Sequence, residues 1–561
     1  MNNLFLDANN DDKKDLIKYF EILNSEIENN IHPWFPYITG NFEKKLTSFL
    51  ENKNLPIDSA TIEQTLHEMA EYFRGATRWH HPYVMNNIKT PVNLPALAVA
   101  FNAMTIDPNL AGDTNCGQIA YAEIEVMKYM ANLIGWDEKE AWGYFTFGGT
   151  STILNAVKAG IRKAKDDACT QGIGNEDLFV VSSVQGHSAH SDVCNWLGIG
   201  SKNCIRVPVD DNYQIDIEKA KQIIIERIEK GGKLVSIIGC GGTTIQMIVD
   251  PIEKLDRLRR EIVKKYHLSY MPHLHVDLVV GWPWLFFKGY NYSENPLKIS
   301  EIALKKILKM ENMVSEALFA DTVGIDFHKT GFCPYASSLF LSKSRVDVFN
   351  LNDKPMQSID DLEYGRYSPS TYTLELSRSS VGPLSALATL KVLGINGFRK
   401  QLGKIMIGVS YLVERLDATA GIEVINKDTT GACVLFVIKP IDFIDIKYSD
   451  FYTTTLSQVE KIALYNYHFY LFVLSALEKK EINFFIDYSS GYEKIKNGFH
   501  MGVLKMQTFN PMLTEERVDD LIVEILRLKS EFDKVSSDGN DRAFLYSPKK
   551  PKLTYNNIKV F

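Results

Sequence analysis

The sequence lacks a C-x-x-C pair, a long apolar run and a surplus of basic residues. Its seven cysteines are scattered through 561 residues, which is typical of reduced core thiols and leads us to expect a cytoplasmic protein. No apolar run reaches the roughly 18 to 20 residues that span a bilayer, so no membrane partner is expected. The formal net charge of -7 argues against a nucleic-acid partner.

Length and patterning predict more than one domain. Hydrophobic residues make up 45% of the chain and charged residues 23%, which is ordinary for a globular protein. We predict an N-terminal helical segment (1–90), a large α/β domain (91–385), a small α+β domain (386–545) and a basic tail (546–561).

The predicted large domain alternates short apolar runs with amphipathic stretches. The runs cover residues 178–182, 234–239, 274–280 and 337–341, and residues 251–266 carry apolar side chains at helical spacing. Buried strands that alternate with helices indicate an α/β fold with a largely parallel sheet. Ligands of such sheets bind outside the carboxyl ends of the strands.

Lys329 is the first candidate for chemistry. It follows His328 and is flanked by Phe327 and Phe332. An ε-amine in a partly apolar pocket has a lowered pKa and can form an imine. Taken alone, a solvated surface lysine is the commoner interpretation.

The strand around Asp277 gives a second candidate. Strand alternation places His273, His275 and Asp277 on one face. A carboxylate at the end of a buried strand needs a partner, such as the protonated pyridine nitrogen of pyridoxal 5'-phosphate (PLP). The same three residues also suit a metal site, and two hydrogen-bonded core histidines are a further alternative.

A glycine turn opens a predicted helix at Gly148-Gly149-Thr150-Ser151. Backbone N–H groups and the helix dipole at such a turn make a phosphate site, and the two hydroxyls can add to it. The alternative is a glycine turn with an N-cap threonine.

Two further segments carry polar side chains next to predicted strands. His187 lies in the segment 185–191, and Thr244 lies in the segment 241–252. An imidazole can stack on a cofactor ring or move protons, although a helix-start histidine is the commoner case. Thr244 fits either a strand-end hydroxyl or a polar connecting loop. The order of all five features along the chain is stronger evidence than any one of them.

In that order, the residues resemble the group II PLP-dependent decarboxylases, the family of glutamate, aromatic amino acid and tyrosine decarboxylases with the aspartate aminotransferase-type fold (fold type I). The resemblance covers roughly residues 79–397. It implies a Schiff base on Lys329, a ring-nitrogen contact from Asp277 and a ring-stacking role for His187. The remaining cofactor contacts that it implies come from Gly148, Gly149, Thr150, Ser151, Thr244 and His328.

The sequence also departs from the family pattern. Val279 replaces a family alanine, which makes one side of the expected ring site bulkier, and Phe327 replaces a proline in a way that resembles the diamino-acid branches. The family's mobile loop, which falls between Leu341 and Ser377 here, carries a tyrosine that returns a proton to the substrate α-carbon after CO2 is lost. Tyr364, Tyr367 and Tyr372 are candidates for that tyrosine.

The resemblance therefore implies a homodimeric L-amino-acid α-decarboxylase that uses PLP and holds no metal. Residues 149–158 and 367–378 also resemble the PLP-dependent sphingosine-phosphate lyases, which break a C–C bond. Two alternatives of other classes are a metal hydrolase built on His273, His275 and Asp277, and a non-catalytic PLP-fold binding protein.

Overall fold

The computed structural model describes residues 13–39, 54–55, 57–352, 363–494 and 500–537. We number helices of eight or more residues. They are α1 (Lys13–Glu28), α2 (Ile62–Glu71), α3 (Leu94–Ile106), α4 (Ile119–Ile134), α5 (Gly149–Ala164), α6 (Ala189–Trp196), α7 (Ile217–Glu229), α8 (Ile252–Tyr266), α9 (Glu301–Ser315), α10 (Val381–Asp417), α11 (Leu456–Glu478) and α12 (Glu515–Ser537). Shorter helices are Asp113–Cys116, Ala168–Gln171, Phe327–Thr330 and Arg345–Phe349.

The strands form two sheets. They are β1 (Trp142–Thr146), β2 (Leu178–Ser183), β3 (Cys204–Val207), β4 (Lys233–Cys240), β5 (His273–Asp277), β6 (Thr322–Asp326), β7 (Ser338–Ser342), β8 (Ile422–Val424), β9 (Cys433–Ile438), β10 (Asp487–Lys494) and β11 (His500–Gln507). The larger sheet has the order β1-β7-β6-β5-β4-β2-β3, and the smaller has the order β10-β11-β9-β8.

The larger sheet is parallel except at β7. Strand β2 pairs in parallel with β3 and β4, β4 with β5, and β5 with β6, whereas β7 runs antiparallel to both β6 and β1. The α/β class predicted from the alternating runs is therefore confirmed. Helix α8 shows why, because it buries Ile252, Leu255, Leu258 and Ile262 at helical spacing.

The strand predicted over 274–280 is shorter than expected. Strand β5 ends at Asp277, and the chain then turns, with Leu278 N donating to Val276 O (2.9 Å). Apolar residues continue to Val280 and are buried, so hydrophobicity alone does not mark the end of the strand. The turn places Asp277 at the carboxyl edge of the sheet.

The smaller sheet is antiparallel and belongs to the C-terminal part of the chain. Helix α10 begins before residue 385 and continues to Asp417, with a non-helical backbone at Gly394 (φ 56°). The boundary predicted at residue 385 therefore lies inside α10. The basic tail predicted at 546–561 lies outside the described residues.

Among the described helices, α10 is long and apolar enough to cross a membrane by length and composition. It packs against α3, α4, α9 and α12. These contacts place much of its surface in the protein core.

Candidate active site

A cavity of about 260 Å³ lies at the carboxyl edge of the larger sheet. It brings together seven predicted site residues from five separate segments of the chain. The lining residues are Gly149, Thr150, Ile153, His187, Ala189, Cys240, Gly242, Thr243, Thr244, Asp277, Val279, Asp326, His328 and Lys329. Val279 lines the wall as expected from its departure from the family alanine.

Lys329 lies on the short helix Phe327–Thr330, directly after β6. Its Nζ is 2.9 Å from Asp326 Oδ2, and its side chain is 26% exposed. Burial lowers the pKa of Lys329, but the charges of Asp326 and Asp277 outweigh burial and raise that pKa above its ordinary value. The amine is thus a cation when the cavity holds no other group.

An early segment of the chain fixes the short helix that carries Lys329. Thr90 N donates to Lys329 O (2.8 Å), and Lys89 Nζ donates to His328 O (2.6 Å) and Cys333 O (2.7 Å). Phe332 N in turn donates to Thr90 Oγ1 (2.9 Å). These bonds satisfy carbonyl groups that a short helix leaves free at its end.

Asp277 lines the cavity and is held by a hydrogen bond from His190. Its Oδ2 is 3.1 Å from His190 Nε2, and its Oδ1 is buried without a hydrogen-bond partner among the described residues. Burial raises the pKa of Asp277, but His190 and Lys329 outweigh burial and hold that pKa well below its usual range. An ionised carboxylate with one free oxygen suits a cationic N–H donor in the cavity.

His187 lines the cavity and lies two residues before the start of α6. Burial lowers the pKa of His187, so the ring is neutral at physiological pH. Its Nδ1 accepts from Ala189 N (3.1 Å), and Arg206 Nη1 donates to the His187 carbonyl (3.1 Å). Both contacts fix the ring at the cavity wall.

The predicted phosphate turn opens α5. Gly149 and Thr150 line the cavity. A Cβ on Gly149 would lie 2.8 Å from Asp326 Oδ2, so only glycine fits. Ser151 corrects the sequence prediction, because it is fully buried and its Oγ bonds Thr146 Oγ1 and Gly148 O instead of facing the cavity.

His328 and Thr244 complete the predicted set. Burial lowers the pKa of His328 to about 4. Its Nδ1 accepts from Ser337 N, and its ring packs against that of Tyr335 in a tilted arrangement, with the ring centroids 4.4 Å apart. Thr244 O accepts from Gln507 Nε2 (2.9 Å), which ties the cavity wall to the smaller sheet.

The structure gives the metal alternative no support. His273 Nε2 and His275 Nδ1 both lie within 2.9 Å of Thr322 Oγ1, and both rings are fully buried. Within the described ranges, no group of three His, Cys, Asp or Glu side chains is arranged to hold a metal ion. The two histidines are hydrogen-bonded core residues.

Two of the three candidate tyrosines are core residues. Tyr367 and Tyr372 are buried, their hydroxyls lie 3.0 Å apart, and Trp142 Nε1 donates to Tyr372 Oη (3.2 Å). Tyr364 is 70% exposed. The predicted loop also includes residues 353–362, which lie outside the described part of the chain.

A buried ion pair anchors the segment that follows this loop. Arg378 Nη1 and Nη2 contact Glu123 Oε1 (2.6 Å) and Oε2 (3.0 Å), and both side chains are almost fully buried. Glu123 lies on α4, so this pair ties the end of the loop to the large domain.

Sequence reasoning missed two residues of the site, Asp326 and His190. Asp326 ends β6 three residues before Lys329, a strand-end position equivalent to that of Asp277 on β5. His190 follows His187 by one helical turn, and that spacing was the available signal.

The donor set fits PLP. An amine, a carboxylate oxygen without a partner and a glycine-rich helix N-terminus share one cavity. They match the aldehyde, the protonated ring nitrogen and the phosphate of that cofactor.

Comparison with known proteins agrees with this site. Residues 44–282 match the pyridoxal-dependent decarboxylase conserved domain. The chain is 22% identical over 501 residues to the L-2,4-diaminobutyrate decarboxylase of Acinetobacter baumannii. The aligned part covers 85% of this chain and 86% of that protein. It is 27% identical over 319 residues to the sphingosine-1-phosphate lyase of Oryza sativa subsp. japonica, 55% of this chain and 50% of that one.

Among solved structures, mouse CSAD in apo form superposes with a TM-score of 0.74 at 17% identity, over 92% of this chain and 99% of that one. This likeness confirms the predicted fold of the PLP-dependent decarboxylases, and the matching domain includes the phosphate turn, His187 and Asp277. Over residues 44–282 the chain is therefore similar to the pyridoxal-dependent decarboxylases.

Proposed function

We propose that this protein removes the α-carboxylate of a free L-amino acid and releases CO2 and an amine. The observation that carries the proposal is the convergence of Lys329, Asp277 and His187 on one cavity beside the Gly149–Thr150 turn. When bound, PLP supplies the electron sink that stabilises the charge left on the α-carbon. Without such a sink the loss of CO2 from an amino acid is extremely slow.

Each residue has a separate part in this proposal. Lys329 provides the amine that binds the cofactor aldehyde. Asp277 Oδ1 holds the proton on the ring nitrogen. His187 is a neutral imidazole at the cavity wall, able to accept or return a proton. The turn at Gly149 and Thr150, together with neutral His328, would hold the phosphate group of the cofactor.

The substrate is an amino acid, and 2,4-diaminobutyrate is the first to test. The Acinetobacter baumannii relative, which matches most of this chain, carries that activity in its name. Phe327 before the His328-Lys329 pair supports the same choice. Ornithine and the standard amino acids complete the screen.

The test begins with protein purified with PLP. We expect a visible absorption band that borohydride abolishes, and CO2 release from one member of the screen. In Lys329→Ala both signals should vanish, whereas Lys305→Ala, an exposed lysine on α9, should keep both. A reducible band that persists in Lys329→Ala refutes the assignment of the lysine. A cofactor band with no turnover of any amino acid supports a binding protein instead.

A second candidate function uses the same cofactor. The 27% identity to a sphingosine-1-phosphate lyase over 319 residues favours C–C cleavage of a phosphorylated amino alcohol. Release of an aldehyde from such a substrate, with no CO2 from any amino acid, would decide for this alternative.

We propose that two copies of the chain form a homodimer through an apolar surface on α3 and α10. Leu94, Met104 and Ile106 on α3 are 79%, 61% and 70% exposed, and Val392 and Ile395 on α10 are each more than half exposed. Exposed apolar clusters of this kind mark protein interfaces. Light scattering should give twice the chain mass, and Met104→Glu should lower it, whereas Ile441→Glu on the smaller domain should not. An unchanged mass in Met104→Glu would argue against this surface.

We also propose a cytoplasmic location. All seven cysteines are free thiols in the structure, and six of them are buried. Free, mostly buried thiols are typical of proteins in a reducing compartment. Fractionation of cells that express the protein tests the proposed location.

A further inference from the structure

The two carboxylate oxygens of Asp277 have different surroundings. Asp277 lines the cavity; its Oδ2 is 3.1 Å from His190 Nε2, whereas its Oδ1 is buried and has no hydrogen-bond partner among the described residues. A buried carboxylate is stable only when its charge is compensated. His190 therefore satisfies one oxygen from the protein side and leaves the other for the group in the cavity.

His190 is itself oriented by a second residue. Its ring is fully buried, and its Nδ1 lies 2.5 Å from Ser182 Oγ on β2. Because an ionised carboxylate only accepts, His190 Nε2 carries the proton that is donated to Asp277. Nδ1 is then the acceptor, and the Ser182 hydroxyl donates to it. This chain of donors runs in one direction, from Ser182 through His190 to Asp277.

The packing around the pair leaves it little freedom. A Cβ on Gly186 would lie 2.7 Å from His190 Nδ1 and 3.0 Å from Ser182 Oγ, so the absence of a side chain there makes room for both. Arg206 from β3 contacts the carbonyl groups of Gly186 and His187 and holds this turn in place. The ring of His190 is enclosed on the side opposite Asp277.

The charges around His190 come from Asp277, Arg206, His187 and His275. Burial lowers the pKa of His190, and only Asp277 opposes that effect strongly. Burial also lowers the pKa of His275, to about 4. His190 is thus a neutral donor. It stabilises the carboxylate without adding a second cation near Lys329.

We propose that His190, oriented by Ser182, is a positioning residue that keeps Asp277 ionised, turns its Oδ1 towards the cavity and thereby keeps the ring nitrogen of bound PLP protonated. This inference rests on the proposed function only in taking PLP as the occupant. It does not depend on which bond of the substrate is broken.

The test measures the ring nitrogen directly, by NMR of protein loaded with 15N-labelled PLP. In the wild type the nitrogen should stay protonated from about pH 6 to about pH 9. In His190→Leu it should lose the proton within that range, and the dissociation constant for PLP should rise roughly tenfold, as expected for a lost hydrogen bond to a charged group. His190→Gln, which can still donate, should restore most of both properties.

Two further variants make the result decisive. Cys194→Ala removes another buried side chain from α6 without contacting Asp277, and it should leave the nitrogen signal unchanged. Ser182→Ala should shift the titration in the same direction as His190→Leu but less, and it decides the matter if His190→Leu does not fold. Retention of the ring proton to about pH 9 in both His190→Leu and Ser182→Ala, or its absence in the wild type, would overturn the proposal.

The outcomes also separate this inference from the proposed function. Wild-type protein that protonates bound PLP but releases no CO2 contradicts decarboxylation and leaves His190 in its role. Wild-type protein that releases CO2 while the ring nitrogen is unprotonated supports decarboxylation and contradicts the role proposed for His190. Wild-type protein that binds no PLP contradicts both.

Discussion

Lys329 Nζ lies 2.9 Å from Asp326 Oδ2, and Asp326 is fully buried between the lysine and Gly149. The carboxylate therefore holds a proton on the amine that must react as a free base. The same contact places the lysine at the cavity wall before the cofactor arrives.

Asp326→Asn should speed the covalent capture of PLP by Lys329. Removal of the charge lowers the pKa of the amine, because Asp326 is the main group that raises it. At a pH below the pKa, the neutral fraction of an amine is proportional to the acid dissociation constant of its ammonium form. We therefore expect the rate of capture to increase roughly three- to tenfold near neutral pH. Stopped-flow absorbance with borohydride trapping measures the rate. Ser338→Ala, which removes a hydrogen bond from Asp326 but no charge, should have a smaller effect. A slower capture in Asp326→Asn would contradict this role.

Gly149→Ala should weaken PLP binding about tenfold or more, roughly 1.4 kcal/mol. The added Cβ would lie 2.8 Å from Asp326 Oδ2 and 3.2 Å from Val279 Cγ1, so the turn must shift. Gly148→Ala is a matched control, because a Cβ there meets nothing within 4 Å. Equilibrium dialysis of the two variants compares the affinities. Equal affinities would show that the turn tolerates the shift.

Glu123→Gln should destabilise the fold by about 3 to 5 kcal/mol. In the wild type, Arg378 contacts the two carboxylate oxygens of Glu123 at 2.6 and 3.0 Å. The substitution leaves the buried guanidinium without its counter-ion. Glu125→Gln, on the same helix, breaks the exposed pair with Lys391 and should cost less than about 1 kcal/mol. Chemical denaturation of both variants gives the difference. A similar loss in the two variants would mean that the buried pair contributes no more than the exposed one.

Tyr364→Phe should lower kcat by roughly a hundredfold while PLP binding is unchanged, since general acid catalysis contributes about that much. Tyr364 is exposed within the predicted loop, whereas Tyr372 is buried against Tyr367 and Trp142. Tyr372→Phe should instead lower stability by about 1 kcal/mol and keep kcat within about twofold. An unchanged kcat in Tyr364→Phe would place the acid elsewhere.

Acid should destabilise the protein partly through His275. Burial lowers the pKa of His275 to about 4, while in the unfolded chain it is about 6.5. The unfolded state therefore binds the proton first, and stability falls as the pH decreases from about 6.5 to about 4, by about 3 kcal/mol for this residue. His275→Gln should flatten the fall of unfolding free energy in that window. His67→Gln, at an exposed site, should keep the wild-type slope, and equal slopes in both variants would exclude His275 as a source.

The sequence predicted the fold because strand and helix periods are local. Helix α8 buries its apolar face at the expected spacing, and the ends of β2, β4 and β7 differ from the predicted strands by at most one residue. The order of the phosphate turn, His187, Thr244, Asp277 and Lys329 then identified one sheet edge. All of those residues line the cavity except Gly148 and Ser151 of the turn.

What the sequence did not show depends on side-chain contacts that exist only in the folded protein. Ser151 has the hydroxyl for a phosphate contact, but Thr146 lies close enough to turn it inward. Tyr367 and Tyr372 have no sequence feature that distinguishes them from a loop tyrosine until Trp142 packs beside them. His190 gains its role from Asp277, 87 residues later in the chain.

The contact between Thr90 and Lys329 has a consequence for the order of folding. The short helix that carries Lys329 is completed only when the backbone of Thr90, made long before it, lies against it, and Gln507 closes the other wall from near the end of the chain. Such long-range contacts form late, because their loop-closure entropy must be overcome first. We therefore expect that a growing or truncated chain does not bind PLP, so that the yellow colour of the bound cofactor indicates a completely folded protein.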